Sequence, residues 1–254
     1  MTAPATVADL LRRSSESYAD SPAIIGEGRN VTYGELTDRS NAVANGLVAA
    51  GLETGDRVAY LARNGTEFWE LFFATAKSGA AIVPLNFRLS APEIEWILDD
   101  CSPSVLVVEE HLVEMVPSSF TGLKLVFSQE GEPEAAEGWQ TFEAWVGAQS
   151  TDDPRLDVRG EGLLSIMYSS GTTGRPKGVT TTSDAMLAAV AAISAELDPS
   201  PESVSLVPTP YYHITASGWS LIALANGGRI IQFIEVTPQS KLGLMLAHRA
   251  THEI

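Results

Sequence analysis

Residues 163–182 read LLSIMYSSGTTGRPKGVTTT, and the way this stretch divides decides the fold. LLSIMY is a run of apolar and small residues with the length of a covered strand, ending at Tyr168. KGVTTT reads as the next strand. Between and across them, SSGTTGRPK (169–177) packs four hydroxyls, two glycines and two cations into nine residues. Glycines 171, 174 and 178 permit positive φ and close approach to a ligand, and N–H groups freed in such a turn can converge on an anion. Ser169, Ser170, Thr172 and Thr173 add neutral donors suited to phosphate oxygens, while Arg175 and Lys177 bring positive charge. The P-loop pattern is not met. Lys177 is followed by Gly178 and not by Ser or Thr, and Pro176 disfavours helix at Arg175, so the chain re-enters a strand where a P-loop would open a helix.

Outward from this stretch, strand-like and helix-like segments alternate, which argues for a parallel α/β sheet. Thr32 with Glu35, and Ser90 with Glu93, have capping-box spacing ahead of helical apolar periods, and Gly51 and Gly79 sit where two helices should stop. GDRVAYLA, AAIVPLN, PSVLVVEE, SVSLVPTP and RIIQFI read as strands. DAMLAAVAAISAEL and TASGWSLIALANGG read as helices, the first with Ser183 as its expected N-cap, and PQSKLGLMLAHRA as a helix opened by Pro238. The partition expected is a first α/β subdomain over 1–128, an acidic surface connection with one short helix over 129–162, and a second, incomplete α/β subdomain over 163–254. Residues up to about Phe127 should form most of one sheet, and those from Leu163 should begin another. ATHEI looks like the opening of a further strand, so the chain reads as cut short, with apolar surface that would drive self-association.

The 254 residues carry 16 basic and 32 acidic side chains, a formal net charge of −16. That balance disfavours nucleic acid or an anionic membrane as partner, and any anionic ligand needs a local cationic pocket. No stretch approaches the ~18 apolar residues of a membrane span. The single cysteine, Cys101, excludes an internal disulfide, fits a reducing cytoplasm and reads as packing. His111, His248 and His252 lack the clustered spacing of metal ligands, and no residue is assigned to a metal.

YSSGTTGRPKGV closely resembles the phosphate-loop motif of the adenylate-forming superfamily: acyl- and aryl-CoA synthetases, luciferases and peptide-synthetase adenylation domains. VTYGELTDRSNAVANGL with GLETGDRVAYLARN resembles the family's N-terminal helix and strand, and TPYYHITASGW its aromatic-histidine motif at the acyl pocket. The resemblance implies the N-terminal part of that fold, with two mostly parallel sheets and flanking helices. It also implies an acid–thiol ligase: a carboxylate attacks the α-phosphorus of ATP, giving acyl-adenylate and pyrophosphate, and a thiol then displaces AMP.

ATP phosphates would be gripped by Ser169, Ser170, Gly171, Thr172, Thr173, Gly174, Arg175 and Lys177, with Mg²⁺ bridging them and Ser169 beside it. Tyr212, His213 and Trp219 would line the carboxylic-acid site. Coenzyme A is the expected acceptor and a fatty or aromatic acid the expected substrate, since ITASGWSLIALANGG has no aspartate for an amino-acid amine. The family's Tyr-Gly-x-Thr-Glu stretch, its ribose-binding aspartate and its C-terminal domain with the adenylation lysine are not in these residues, so no catalytic residue is assigned and the chain alone is expected to be inactive. The alternatives are a non-catalytic nucleotide- or partner-binding module and an adenylation domain that loads a carrier protein.

Overall fold

The computed structural model describes residues 4–26, 29–169 and 175–253. The chain begins with α1 (Val7–Tyr18), β1 (Pro22–Ile25), β2 (Asn30–Thr32) and α2 (Tyr33–Ala49), the last opened by the expected Thr32–Glu35 capping box. It continues through β3 (Arg57–Leu61), α3 (Thr66–Ser78), β4 (Ala81–Leu85) and α4 (Ala91–Cys101). Gly79 ends α3 at φ 75°, a left-handed position that glycine adopts without steric cost, and Ser90 with Glu93 boxes the start of α4. Then come β5 (Val105–Glu109), β6 (Leu123–Phe127), β7 (Gln140–Thr141) and α5 (Phe142–Gly147). The rest is β8 (Leu163–Ser169), β9 (Lys177–Thr182), α6 (Ser183–Leu197), β10 (Val204–Val207), α7 (Ile214–Ala225), β11 (Arg229–Gln232), α8 (Pro238–His248) and β12 (His252–Glu253).

Two sheets form, as expected, but their strands are drawn differently from the chain. The larger has the order β7-β6-β5-β3-β4-β8-β9 and the smaller β12-β10-β11-β1-β2. LLSIMY therefore does not begin the second sheet. β8 lies parallel to β4 in the first, and β9 folds back on it antiparallel. The early strand β1 goes the other way and pairs in parallel with β11. The physical reason is that each sheet needs both faces covered, and the helices α1, α2, α3 and α7 form a layer shared between the two. One core cluster joins Leu11, Leu36 and Phe72 of that layer to Ile82 of the first sheet and Ile230 of the second. The outer face of the first sheet packs against α4, and that of the second against Leu244 and Met245 of α8.

A smaller difference concerns α6. Its N-cap is Thr182, whose Oγ1 accepts from Ala185 N at 3.2 Å. Ser183 Oγ instead accepts from Val7 N at 2.7 Å, so the hydroxyl expected to cap α6 serves the start of α1. The acidic connection is tied down by specific bonds. Arg12 makes two bonds to Asp153 (2.7 and 2.9 Å), and this guanidinium holds the Asp153 carboxyl down at about 2. Phe142 and Val146 of its one helix are buried.

Candidate active site

In parallel α/β sheets the carboxyl ends of the strands gather loops at which ligands are bound. Here the ends of β3 and β4 in one sheet and of β10 and β11 in the other approach each other. Asn64, just after β3, joins them: its Nδ2 donates to Thr209 O at 3.0 Å, and its Oδ1 accepts from Tyr211 N at 2.9 Å. The crevice at this junction has a volume of about 410 Å³ and is lined in part by Arg63, Asn64, Phe87, Arg88 and Phe233. Arg63 is engaged, paired with the buried carboxylate of Glu109.

The β8–β9 hairpin carries Ser169, Arg175 and Lys177, three of the residues expected to grip phosphate, at this same end of the first sheet. Its register sets Ser169 opposite Lys177 and Tyr168 opposite Gly178. Both Arg175 and Lys177 are exposed, and neither side chain forms an ion pair with the described residues. Ser170, Gly171, Thr172, Thr173 and Gly174 lie outside the described residues. Gly178 is needed for space and not for a positive φ: a Cβ there would meet Ile166 Cγ2 at 2.9 Å and the Tyr168 ring at 3.2 Å. Any side chain would push β9 off the Tyr168 ring.

The three residues expected at the acid site are split. Tyr212 is buried and packs edge-on against Phe87, with ring centroids 5.7 Å apart, so it belongs with the crevice. His213 is exposed at the N-terminus of α7 and lies against the Tyr212 ring at 4.5 Å. Trp219 lines a different space, an apolar groove of about 340 Å³ between α6 and α7, together with Met186, Val190, Ile214 and Ile222. Its indole Nε1 is buried with no hydrogen-bond partner. The neighbouring Tyr211 is core: its ring stacks on Phe68 at 4.7 Å and its hydroxyl donates to Gln232 Oε1 at 2.9 Å. Burial raises the Tyr211 hydroxyl above its ordinary range, so it stays protonated.

Sequence reading missed Asn64, Phe87 and Arg88. Their signal was position: ARNG directly follows β3 and NFR directly follows β4, at strand ends where a ligand would be met. Among the described residues no group of three or more His, Cys, Asp or Glu side chains could hold a metal ion. None of the described helices is long and apolar enough to cross a membrane.

A model of the AMP-binding enzyme family matches residues 11–253. A fatty acid–acyl-carrier-protein ligase, ScoC, from Streptomyces coeruleorubidus is 36% identical over 79% of this chain and 38% of its own length. A feruloyl-CoA synthase from an Amycolatopsis species is 35% identical over 94% of this chain and 46% of its own. The chain thus spans less than half the length of these relatives. Among solved structures, the inhibitor-bound N-terminal domain of FACL13 from Mycobacterium tuberculosis superposes with a TM-score of 0.86 at 26% identity, over 98% of this chain and 62% of that one.

Proposed function

Since the chain belongs to the AMP-binding enzyme family, we propose that it supplies the ATP-phosphate and acid-binding half of an AMP-forming acyl-CoA synthetase. The observation that carries this reading is the mouth of the β8–β9 hairpin, where Ser169 faces Lys177 across the strands and two cations stand unpaired beside it in a chain of net charge −16. Cations that no carboxylate among the described residues neutralises keep their charge and their N–H donors for the β- and γ-phosphates. Stabilising charge that develops on the leaving pyrophosphate then requires only that Lys177 and Arg175 be held in place before reaction.

The residues present suit a nucleotide-borne Mg²⁺ better than a resident metal, because no carboxylate cluster stands ready for one among the described residues. Such an ion would neutralise phosphate charge, and the Ser169 hydroxyl would help to hold it. Ser170, Gly171, Thr172, Thr173 and Gly174 would contribute the remaining donors. The carboxylate of the acid would lie by Tyr212 and His213, and its tail would run into the α6–α7 groove against Trp219. Coenzyme A is the proposed thiol acceptor. Without a Tyr-Gly-x-Thr-Glu stretch among its 254 residues, the chain by itself is proposed not to turn over.

The test is pyrophosphate release by the full-length protein with ATP, Mg²⁺ and a panel of aryl and alkyl acids, followed by thioester formation with CoA or with a holo carrier protein. Acid-dependent pyrophosphate release followed by acyl-CoA is the expected result. ATP binding with no acid-dependent release would favour a non-catalytic nucleotide-binding module, and thioester on the carrier alone would replace CoA as acceptor.

A further inference from the structure

The hairpin that carries Arg175 rests on α4. Trp96 and Asp100 are four residues apart on that helix and so share one stripe of its surface. The Tyr168 hydroxyl donates to Asp100 Oδ2 at 2.6 Å. The Tyr168 and Trp96 rings meet at 90° with centroids 6.2 Å apart. The Arg175 guanidinium carbon lies 5.7 Å from the centre of the Trp96 ring. One helix thus touches the chain just before and just after the phosphate-loop segment. Trp96 is itself half-buried, packed against the cluster that includes Ile97, Leu98 and Leu106, so its ring cannot swing without losing those contacts.

A guanidinium over an indole is held by its face, and its N–H donors all lie in its plane. Stacking therefore fixes the cation without consuming a donor. An arginine held this way has less rotamer freedom left to lose when it forks onto phosphate oxygens. We infer that Trp96 is a positioning residue for the phosphate site: its indole presents Arg175 at the hairpin mouth, so that part of the affinity for ATP is set by a side chain on α4 that does not touch the nucleotide. The inference rests on the reading of the hairpin as the ATP-phosphate grip.

The test is steady-state pyrophosphate release by the full-length protein, comparing wild type with Trp96→Leu, Trp96→Tyr, Trp96→Phe, Arg175→Ala and the Trp96→Leu/Arg175→Ala double variant. Trp96→Leu should raise KM for ATP about 3–5-fold, the size of one exposed cation–π contact. It should leave kcat and KM for the acid unchanged. Tyr and Phe should fall between, since indole binds cations best. In the Arg175→Ala background Trp96→Leu should change KM for ATP no further. An equal effect in both backgrounds, or a wild-type KM for ATP in Trp96→Leu, overturns the inference. If thermal unfolding shows that Trp96→Leu does not fold, the Tyr and Phe variants decide it: a flat series overturns it, and a graded series that vanishes without Arg175 supports it. A wild type that releases no pyrophosphate with any acid would sink the phosphate-grip reading and this inference with it, whereas an active wild type with unresponsive Trp96 variants sinks this inference alone.

Discussion

Lys77 and Lys177 are the same side chain in opposite circumstances. Lys77, in the last turn of α3, is 1% exposed, and its Nζ donates to Ser40 Oγ at 2.6 Å and Asn41 Oδ1 at 2.7 Å. Lys177 is exposed at the hairpin mouth with no ion pair among the described residues. The difference follows from the helices and strands that carry them. Every residue of α3 is buried, because that helix lies in the layer shared by the two sheets, so a charged group such as Lys77 has only protein groups to meet. The hairpin lies at the edge of its sheet, and no carboxylate among the described residues pairs with Lys177 there. A buried, fully bonded cation is part of the fold, and an exposed, unpaired one is available for chemistry.

The largest effect that could break this contrast is at Lys177. In the full-length protein Lys177→Ala should lower the rate of adenylate formation by about 10²–10³-fold, roughly 2.7–4 kcal/mol of transition-state stabilisation. The melting temperature should stay unchanged. Thioester formation from pre-made acyl-adenylate should be much less affected, since pyrophosphate has already left. Equal loss in both half-reactions would make Lys177 structural, like Lys77.

Next in size is Glu70 on α3, 0% exposed, bonded to Arg39 Nη2 at 2.8 Å and with Arg29 Nη2 at 3.3 Å. Glu70→Ala should cost about 3 kcal/mol of stability, because it leaves the part-buried Arg39 guanidinium facing a desolvated gap, while the more exposed Arg29 can turn to water. The lower end of the usual range applies because Arg39 keeps Glu143 at 2.7 Å. Chemical denaturation measures it, and a loss under about 1 kcal/mol, within the reach of an exposed pair, would show that solvent enters this layer.

How much of this contrast the sequence carried differs between its two halves. The two strands of the hairpin were legible, because an apolar run and a return after Pro176 are local signals. The capping boxes at Thr32 and Ser90 were legible for the same reason. α3 was legible as a helix, but nothing in TEFWELFFATAKS says that Glu70 and Lys77 find partners on α2, since those partners are set by packing across the chain. Sheet membership failed likewise: LLSIMY carries a strand pattern without naming the strand beside it. Asn64 and Trp96 were missed because each acts through a contact with a segment distant in sequence.

The two ends of α3 also predict a pH profile. Burial pushes Lys77 down to about 7 from an ordinary 10.5, so the folded state gives up a proton that the unfolded state keeps, and stability should rise between about pH 7 and 10.5. Burial, then the neighbouring Glu70, pushes Glu67 up to about 7 from an ordinary 4.5. There the folded state keeps a proton that the unfolded state has lost, so stability should fall from pH 4.5 to 7. Each limb has a slope of at most about 1.4 kcal/mol per pH unit, and the two meet in a minimum near neutrality. Denaturation midpoints from pH 5 to 9.5 should show the dip. Lys77→Met should flatten the alkaline limb and Glu67→Gln the acid limb, and a monotonic wild-type profile would refute both assignments.

The smallest effect should come from α8, the helix most unlike α3. It has no fully buried residue, and Leu246 is 72% exposed. A leucine already in water has little transfer free energy to lose, so Leu246→Lys should shift stability by no more than ~0.5 kcal/mol. Leu71, 0% exposed on α3, should cost about 2–5 kcal/mol when cut to Ala, through lost transfer and the cavity left behind. The pair is a controlled comparison, because both residues are leucines within helices of this chain and differ mainly in what surrounds them. Denaturant midpoints with unchanged m-values would measure it. A Leu246→Lys loss comparable to that of Leu71→Ala would mean that the outer face of α8 is covered in solution, and the division between a sealed helical layer and an open outer helix would have to be redrawn.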